Sequence, residues 1–144
     1  MPEPSQPKKL PPNIVAQILL GEAASEGPEG IGAALDTMVN RARRSGKSLE
    51  AVALAPQQFS ASARPDLEDF YLAQPLALRA YTESLVAQAR NPGYEPKHPY
   101  RHYVTTELYK RRHTLEPDHW VHQMDAKQTI GRHVFLQDRP RPRR

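Results

Sequence analysis

The sequence predicts a single α+β domain, mainly helical, with a small β element near the C-terminus. Three observations carry that expectation. The length, 144 residues, suits one hydrophobic core and suffices to bury it without crosslinks. From residue 13 to the region of Asn91-Pro92-Gly93, apolar residues recur at steps of three and four, the period of a helix with a buried face. Beyond residue 97 the character changes. Two short runs rich in strand formers follow, Arg101-His102-Tyr103-Val104-Thr105 and Arg132-His133-Val134-Phe135-Leu136.

The elements follow in order. Residues 1–12 are proline-rich and read as an extended arm. Asn13 is placed to cap a helix over residues 14–24, which Ser25-Glu26-Gly27-Pro28 stops. A second helix is expected from Glu29 to Arg44, ending before Gly46, with Ile31, Leu35, Met38, Val39 and Ala42 on its inner face. A short helix from Ser48 to Ala55 precedes the break Pro56-Gln57-Gln58-Phe59-Ser60. Asp66 to Ala73 reads as another short helix. Pro75 then opens a longer one, with Leu78, Tyr81, Leu85, Val86 and Ala89 facing inward, and Asn91-Pro92-Gly93 ends it. The two strand runs are expected to pair as a small hairpin or sheet edge, although Tyr109 to Met124 intervene. The catalytic or binding domain thus spans residues 13–138, and residues 139–144 form a basic tail.

Composition removes several function classes. The chain has no cysteine, which excludes disulfides, thiolate chemistry and sulfur-ligated zinc. No apolar run approaches the roughly 18–20 residues that cross a bilayer, and the two lysines near the start have no apolar stretch behind them, so no secretory signal is expected. The formal net charge of +4 favours an anionic polymer: nucleic acid, an acidic lipid surface, or a wall carrying carboxylates and phosphates.

Glu22 is the first residue that calls for chemistry. Val15, Ile18, Leu19 and Glu22 fall at steps of three or four and share one face of the first helix. A buried glutamate must be neutralised, paired or used, and burial raises its pKa toward that of a proton donor near neutral pH. On spacing alone, the alternative is a helix that ends near Gly21 and turns Glu22 into water.

The surrounding segments add a resemblance. Gly21-Glu22-Ala23, then Glu29-Gly30-Ile31-Gly32-Ala33-Ala34-Leu35, then Val39-Asn40-Arg41 resemble the opening motifs of the SleB-like cell-wall hydrolases. Pro56-Gln57-Gln58-Phe59-Ser60 resembles that family's P-x-Q-F-S element. His102-Tyr103-Val104-Thr105, Trp120 and Ile130-Gly131-Arg132-His133-Val134-Phe135 resemble its ending. The order is kept over residues 14–136. Thr105 stands where the family usually has asparagine, and Ala24 where it has arginine.

The resemblance implies a lysozyme-like, transglycosylase-like domain that cuts the glycan strand of peptidoglycan, with Glu22 as catalytic acid. Tyr103 and Thr105 resemble the family's cleft-lining residues, with a core position the alternative for Tyr103. Gln58 and Ser60, beside Phe59, are placed either to hydrogen-bond N-acetyl groups or to form an ordinary turn, and no metal or cofactor is expected. A glycosidase of the usual kind needs a second carboxylate about 5–9 Å from the first. Glu26 is the nearest in sequence, whereas Asp36, Asp66 and Glu107 have no sequence support. A lytic transglycosylase needs only one acid, and this favours it over a muramidase.

The remaining candidates are weaker. Phe59 and Phe135 are expected in the core, and Asn40 and Arg41 are expected to tie the second helix to its neighbours. All six histidines lie between residues 98 and 133. Of these, His113, His119 and His122 could group around a metal, but no HExxH spacing is present. Competing readings are a basic nucleic-acid-binding module and a non-catalytic virion structural protein; no nucleic-acid motif accompanies the basic clusters. The expected partner is the peptidoglycan glycan strand, met by a monomer with no nucleic acid and no stable membrane insertion. A phage endolysin or virion-borne lysin is the favoured setting, an exported bacterial enzyme trimmed of its leader the alternative.

Overall fold

The computed structural model describes residues 11–55, 59–100, 102–105, 124–130 and 133–138. Five helices precede a small antiparallel sheet among them: α1 (Ile14–Ala23), α2 (Gly27–Ser45), α3 (Leu49–Leu54), α4 (Leu67–Leu72), α5 (Leu76–Ala89), β1 (His102–Thr105), β2 (Met124–Ile130) and β3 (His133–Asp138). This is the mainly helical α+β class that the sequence predicts. The arm up to residue 10 and the tail from residue 139 lie outside the described residues.

α1 forms the centre of the molecule. Eight of its ten residues are buried, and α2, α3, α4 and α5 all pack against it. A helix that is apolar on every side can only be stable when surrounded. The single-face reading of Val15, Ile18, Leu19 and Glu22 is therefore corrected, because Leu20 and Ala16 on the other sides are buried too. Asn13 occupies the N-cap position, but its side chain makes no cap bond; its Oδ1 instead accepts from the buried Gln17 Nε2 at 3.1 Å. That bond satisfies the polar residue of an otherwise apolar helix.

A 3-10 turn, Ala24–Glu26, separates α1 from α2. α2 starts at Gly27 rather than Glu29, with Pro28 in its first turn, where the missing N–H costs nothing. Its predicted face is buried as expected: Ile31, Leu35, Met38, Val39 and Ala42. Ser48 caps α3 by accepting from the Ala51 N–H at 3.1 Å. In α5 the expectation for Tyr81 fails. Its ring is 40% exposed, and Thr82, Val86 and Ala89 form the buried stripe. Thr82 is admissible there because its hydroxyl donates to the Leu78 carbonyl at 2.8 Å.

The two predicted strand runs do pair: Tyr103 faces Phe135 and Thr105 faces His133 in an antiparallel register. The third strand, β2, was not foreseen. It joins the other side of β3, which is central in the order β1-β3-β2, with an irregularity between Ala126 and Gln128. Ala33 of α2 contributes to a small apolar cluster with Ile130 and Phe135, flanked by Tyr100 and Tyr103, so the sheet rests on α2.

The connector from α5 to β1 is held along α2. The buried Asp36 carboxylate accepts from the backbone N–H of Lys97 at 3.1 Å and of His98 at 3.2 Å, and also from the Tyr94 hydroxyl. It pairs with His98 Nδ1 at 2.9 Å. One turn on, Asn40 Nδ2 donates to the carbonyls of His98 and Tyr100 at 2.7 and 2.9 Å. These bonds deliver β1 to its place beside α2.

Candidate active site

Glu22 lies in the last turn of α1 and is half-buried. Its setting depends on the residue before it. A Cβ on Gly21 would stand 2.7 Å from Ala61 Cβ and 3.1 Å from Leu67 Cδ1. Only a bare glycine lets the 3-10 turn Ser60–Ala63 lie this close to α1. Because the turn lies there, the Ala61 N–H reaches Glu22 Oε1 at 3.2 Å. The backbone thus holds one carboxylate oxygen, and Glu22 does not simply turn into water.

Tyr103, on β1, lies within the field of Glu22 and forms an aromatic wall beside it. Its ring packs on Phe59 (centroids 6.0 Å), on Phe135 (5.4 Å) and edge-on against His133 (4.9 Å). Its hydroxyl is buried with no hydrogen-bond partner among the described residues. Burial, and then the negative charge of Glu22, push the phenol well above its ordinary pKa, with Arg41 acting the other way. The hydroxyl is therefore a protonated donor within the field of Glu22. An orphaned buried donor is unusual, because burial without a partner costs about 1–3 kcal/mol.

Arg41, on α2, links the pieces. Its guanidinium lies over the Phe59 ring, 5.1 Å from the centroid, and Nη2 is 2.9 Å from His102 Nδ1. Guanidinium can only donate, so the imidazole Nδ1 is the acceptor in that contact. Buried His133 has its pKa lowered by desolvation, opposed by the charge of Glu26. Glu26 sits over Gly30, where an added Cβ would collide with the Glu26 side chain. A second carboxylate thus reaches the His133 side of the Tyr103 wall.

Of the residues singled out in the sequence, Glu22 and Tyr103 come together. Ser60 opens the turn that carries Ala61, and Thr105 ends β1. Gln58 lies outside the described residues, as do the side chains of Ser60 and Thr105. Phe59 and Phe135 are buried. Asp36 is committed to the connector and Asp66 to Arg64; Glu107 lies outside the described residues, as do His113, His119 and His122. The Ala61 amide was missed because a backbone donor leaves no side-chain signal. Gly21 was its only trace.

Among the described residues no group of three or more histidines, aspartates or glutamates could hold a metal ion, and no helix is long and apolar enough to cross a membrane. The fold is lysozyme-like. It is similar to the catalytic domain of the germination-specific lytic transglycosylase SleB from Bacillus anthracis, with a TM-score of 0.60 over 92% of this chain and 100% of that domain, at 18% identity. At that identity the likeness is one of fold. No protein-family model and no curated protein sequence matches the chain.

Proposed function

We propose that the chain cleaves the glycan strand of peptidoglycan as a lytic transglycosylase, with Glu22 as its acid. The observation that carries this reading is the half-buried Glu22 carboxylate, held by the Ala61 N–H and facing the Tyr103 wall. It sits on a fold shared with a lytic transglycosylase domain.

Protonated Glu22 gives its proton to the oxygen that leaves as the bond from muramic-acid C1 breaks. Positive charge develops at C1, as in any oxocarbenium-like glycosidic cleavage. The sugar's own 6-hydroxyl oxygen then bonds to C1, its proton passes to the Glu22 carboxylate, and the 1,6-anhydro ring closes. One carboxylate serves twice, and no water is consumed. The buried Tyr103 hydroxyl, which feels the charge of Glu22, is the donor we assign to the carboxylate during the reaction.

A muramidase of the same fold is the second reading, favoured by Glu26, whose charge reaches His133 behind Tyr103. In that case Glu26 activates a water or stabilises the cation. Digestion of purified peptidoglycan, with the muropeptides weighed by mass spectrometry, separates the two. Products lighter by one water support the transglycosylase; reducing-end products transfer the role to Glu22 with Glu26. Absence of release from several walls overturns both.

A further inference from the structure

The two donors assigned to Glu22 come from segments far apart in the chain. Ala61, in the turn Ser60–Ala63, supplies the N–H on Oε1. Tyr103, on β1, supplies the buried hydroxyl in the field of Glu22. The residue entering each segment is held by one and the same side chain. Phe59 stands immediately before the turn and lies under the Arg41 guanidinium, 5.1 Å from it. His102 stands immediately before Tyr103, and its Nδ1 accepts from Arg41 Nη2 at 2.9 Å.

These contacts close a loop. Arg41 rests on Phe59, the Phe59 ring packs on Tyr103 at 6.0 Å, Tyr103 is joined by one peptide bond to His102, and His102 bonds Arg41. Phe59 is buried, and Arg41 itself is half-buried. A guanidinium suits this double task, since its face lies on a ring while an N–H at its edge donates in the plane. A lysine ammonium is a compact charge on a flexible stem and serves one of the two partners at a time. The base of the clamp is firm as well. Asn40, the preceding residue of α2, donates to the Tyr100 carbonyl two residues before His102. The charge acts in the same sense as the geometry, because Arg41 pulls on the Tyr103 hydroxyl against Glu22 and so strengthens it as a donor.

We propose that Arg41 is a positioning residue for the cleavage, clamping the Phe59 and His102 segments together so that the Ala61 N–H and the Tyr103 hydroxyl both serve the Glu22 carboxylate. The proposal rests on the reading of Glu22 as the acid. A residue that acts in this way sets turnover and leaves substrate binding as it was. A side chain that only buttressed α2 would change the melting temperature and not the turnover of the folded enzyme.

The test measures kcat and KM on soluble, uncrosslinked glycan strands for wild type, Arg41→Gln, Arg41→Lys, Tyr103→Phe and the double variant Arg41→Gln/Tyr103→Phe. Each protein is assayed well below its own melting temperature. Arg41→Gln is expected to lose about 10–100-fold in kcat, the scale of a misplaced catalytic group, with KM changed by less than about threefold. Arg41→Lys recovers part of that loss, since it keeps the charge and one of the two contacts. In the double variant the two losses do not multiply, because removing the hydroxyl removes part of what Arg41 holds. Should Arg41→Gln fail to fold, His102→Ala carries the test: it removes only the β1 end of the clamp and is expected to lower kcat with KM unchanged. Unchanged kcat in the folded Arg41→Gln or His102→Ala protein, a rise in KM alone, or full multiplication of the losses overturns the clamp while leaving cleavage by Glu22 in place. Failure of the wild type to cut the strands, or undiminished cutting by a folded Glu22→Gln protein, instead removes the reading on which the clamp rests.

Discussion

At Gly21 a single hydrogen atom decides whether Glu22 has its backbone partner. Gly21→Ala must force the Ser60–Ala63 turn away from α1, since the new methyl meets Ala61 and Leu67. The expected cost is about 1–3 kcal/mol of stability, as for other overpacked sites, read by denaturant unfolding, with activity falling further because the Ala61 N–H is displaced. Full stability in the alanine variant would contradict the close approach. Tyr103 provides the converse case. Its hydroxyl meets no described partner, so Tyr103→Phe should leave stability within about 1 kcal/mol or raise it. If the hydroxyl serves the substrate, the turnover of that variant falls while its melting temperature does not.

Among the elements, the connector before β1 depends most on one side chain. Asp36→Ala removes the acceptor of two backbone N–H groups and the partner of His98. Breaking such a buried network costs about 2–4 kcal/mol, measured by chemical denaturation, and β1 should lose register with it. A change too small to measure would show that Asn40 alone holds the connector. The sequence concealed this role, because the partners of Asp36, backbone and side chain alike, lie some sixty residues on. The helices were legible where apolar spacing was regular, as in Ile31, Leu35 and Met38. Tyr81 misled because a tyrosine looks more like core than a threonine does, while Thr82 hides its polarity on Leu78. β2 carries Met124-Asp125-Ala126-Lys127-Gln128 before its only strand formers. Its state is imposed by pairing with β3, not by local preference.

For the whole molecule, the helical body and the sheet meet at Glu22, Tyr103 and His133, so the junction should respond to pH. Burial holds His133 below its ordinary value of 6.5, so the unfolded chain binds the extra proton first as pH falls. Stability is therefore full above about 6.5 and declines below it, until the folded value is reached. Unfolding at roughly pH 7.5 and pH 5.5 should show that decline in the wild type and a flatter profile in His133→Gln; identical profiles would contradict it. Glu22 was visible in the sequence through its motif, but the uniformly apolar α1 concealed which way it faced. The close Gly21–Ala61 approach, with the Ala61 N–H on its carboxylate, shows how it is held.

The most direct measurement is the release of soluble fragments from purified peptidoglycan by wild type and by Glu22→Gln, both checked for equal melting temperature. The amide keeps the shape and the Ala61 hydrogen bond but cannot give a proton. Loss of about 100-fold or more is expected, the scale of a missing general acid. Equal release by a folded Glu22→Gln protein would contradict the assignment of Glu22 as the acid.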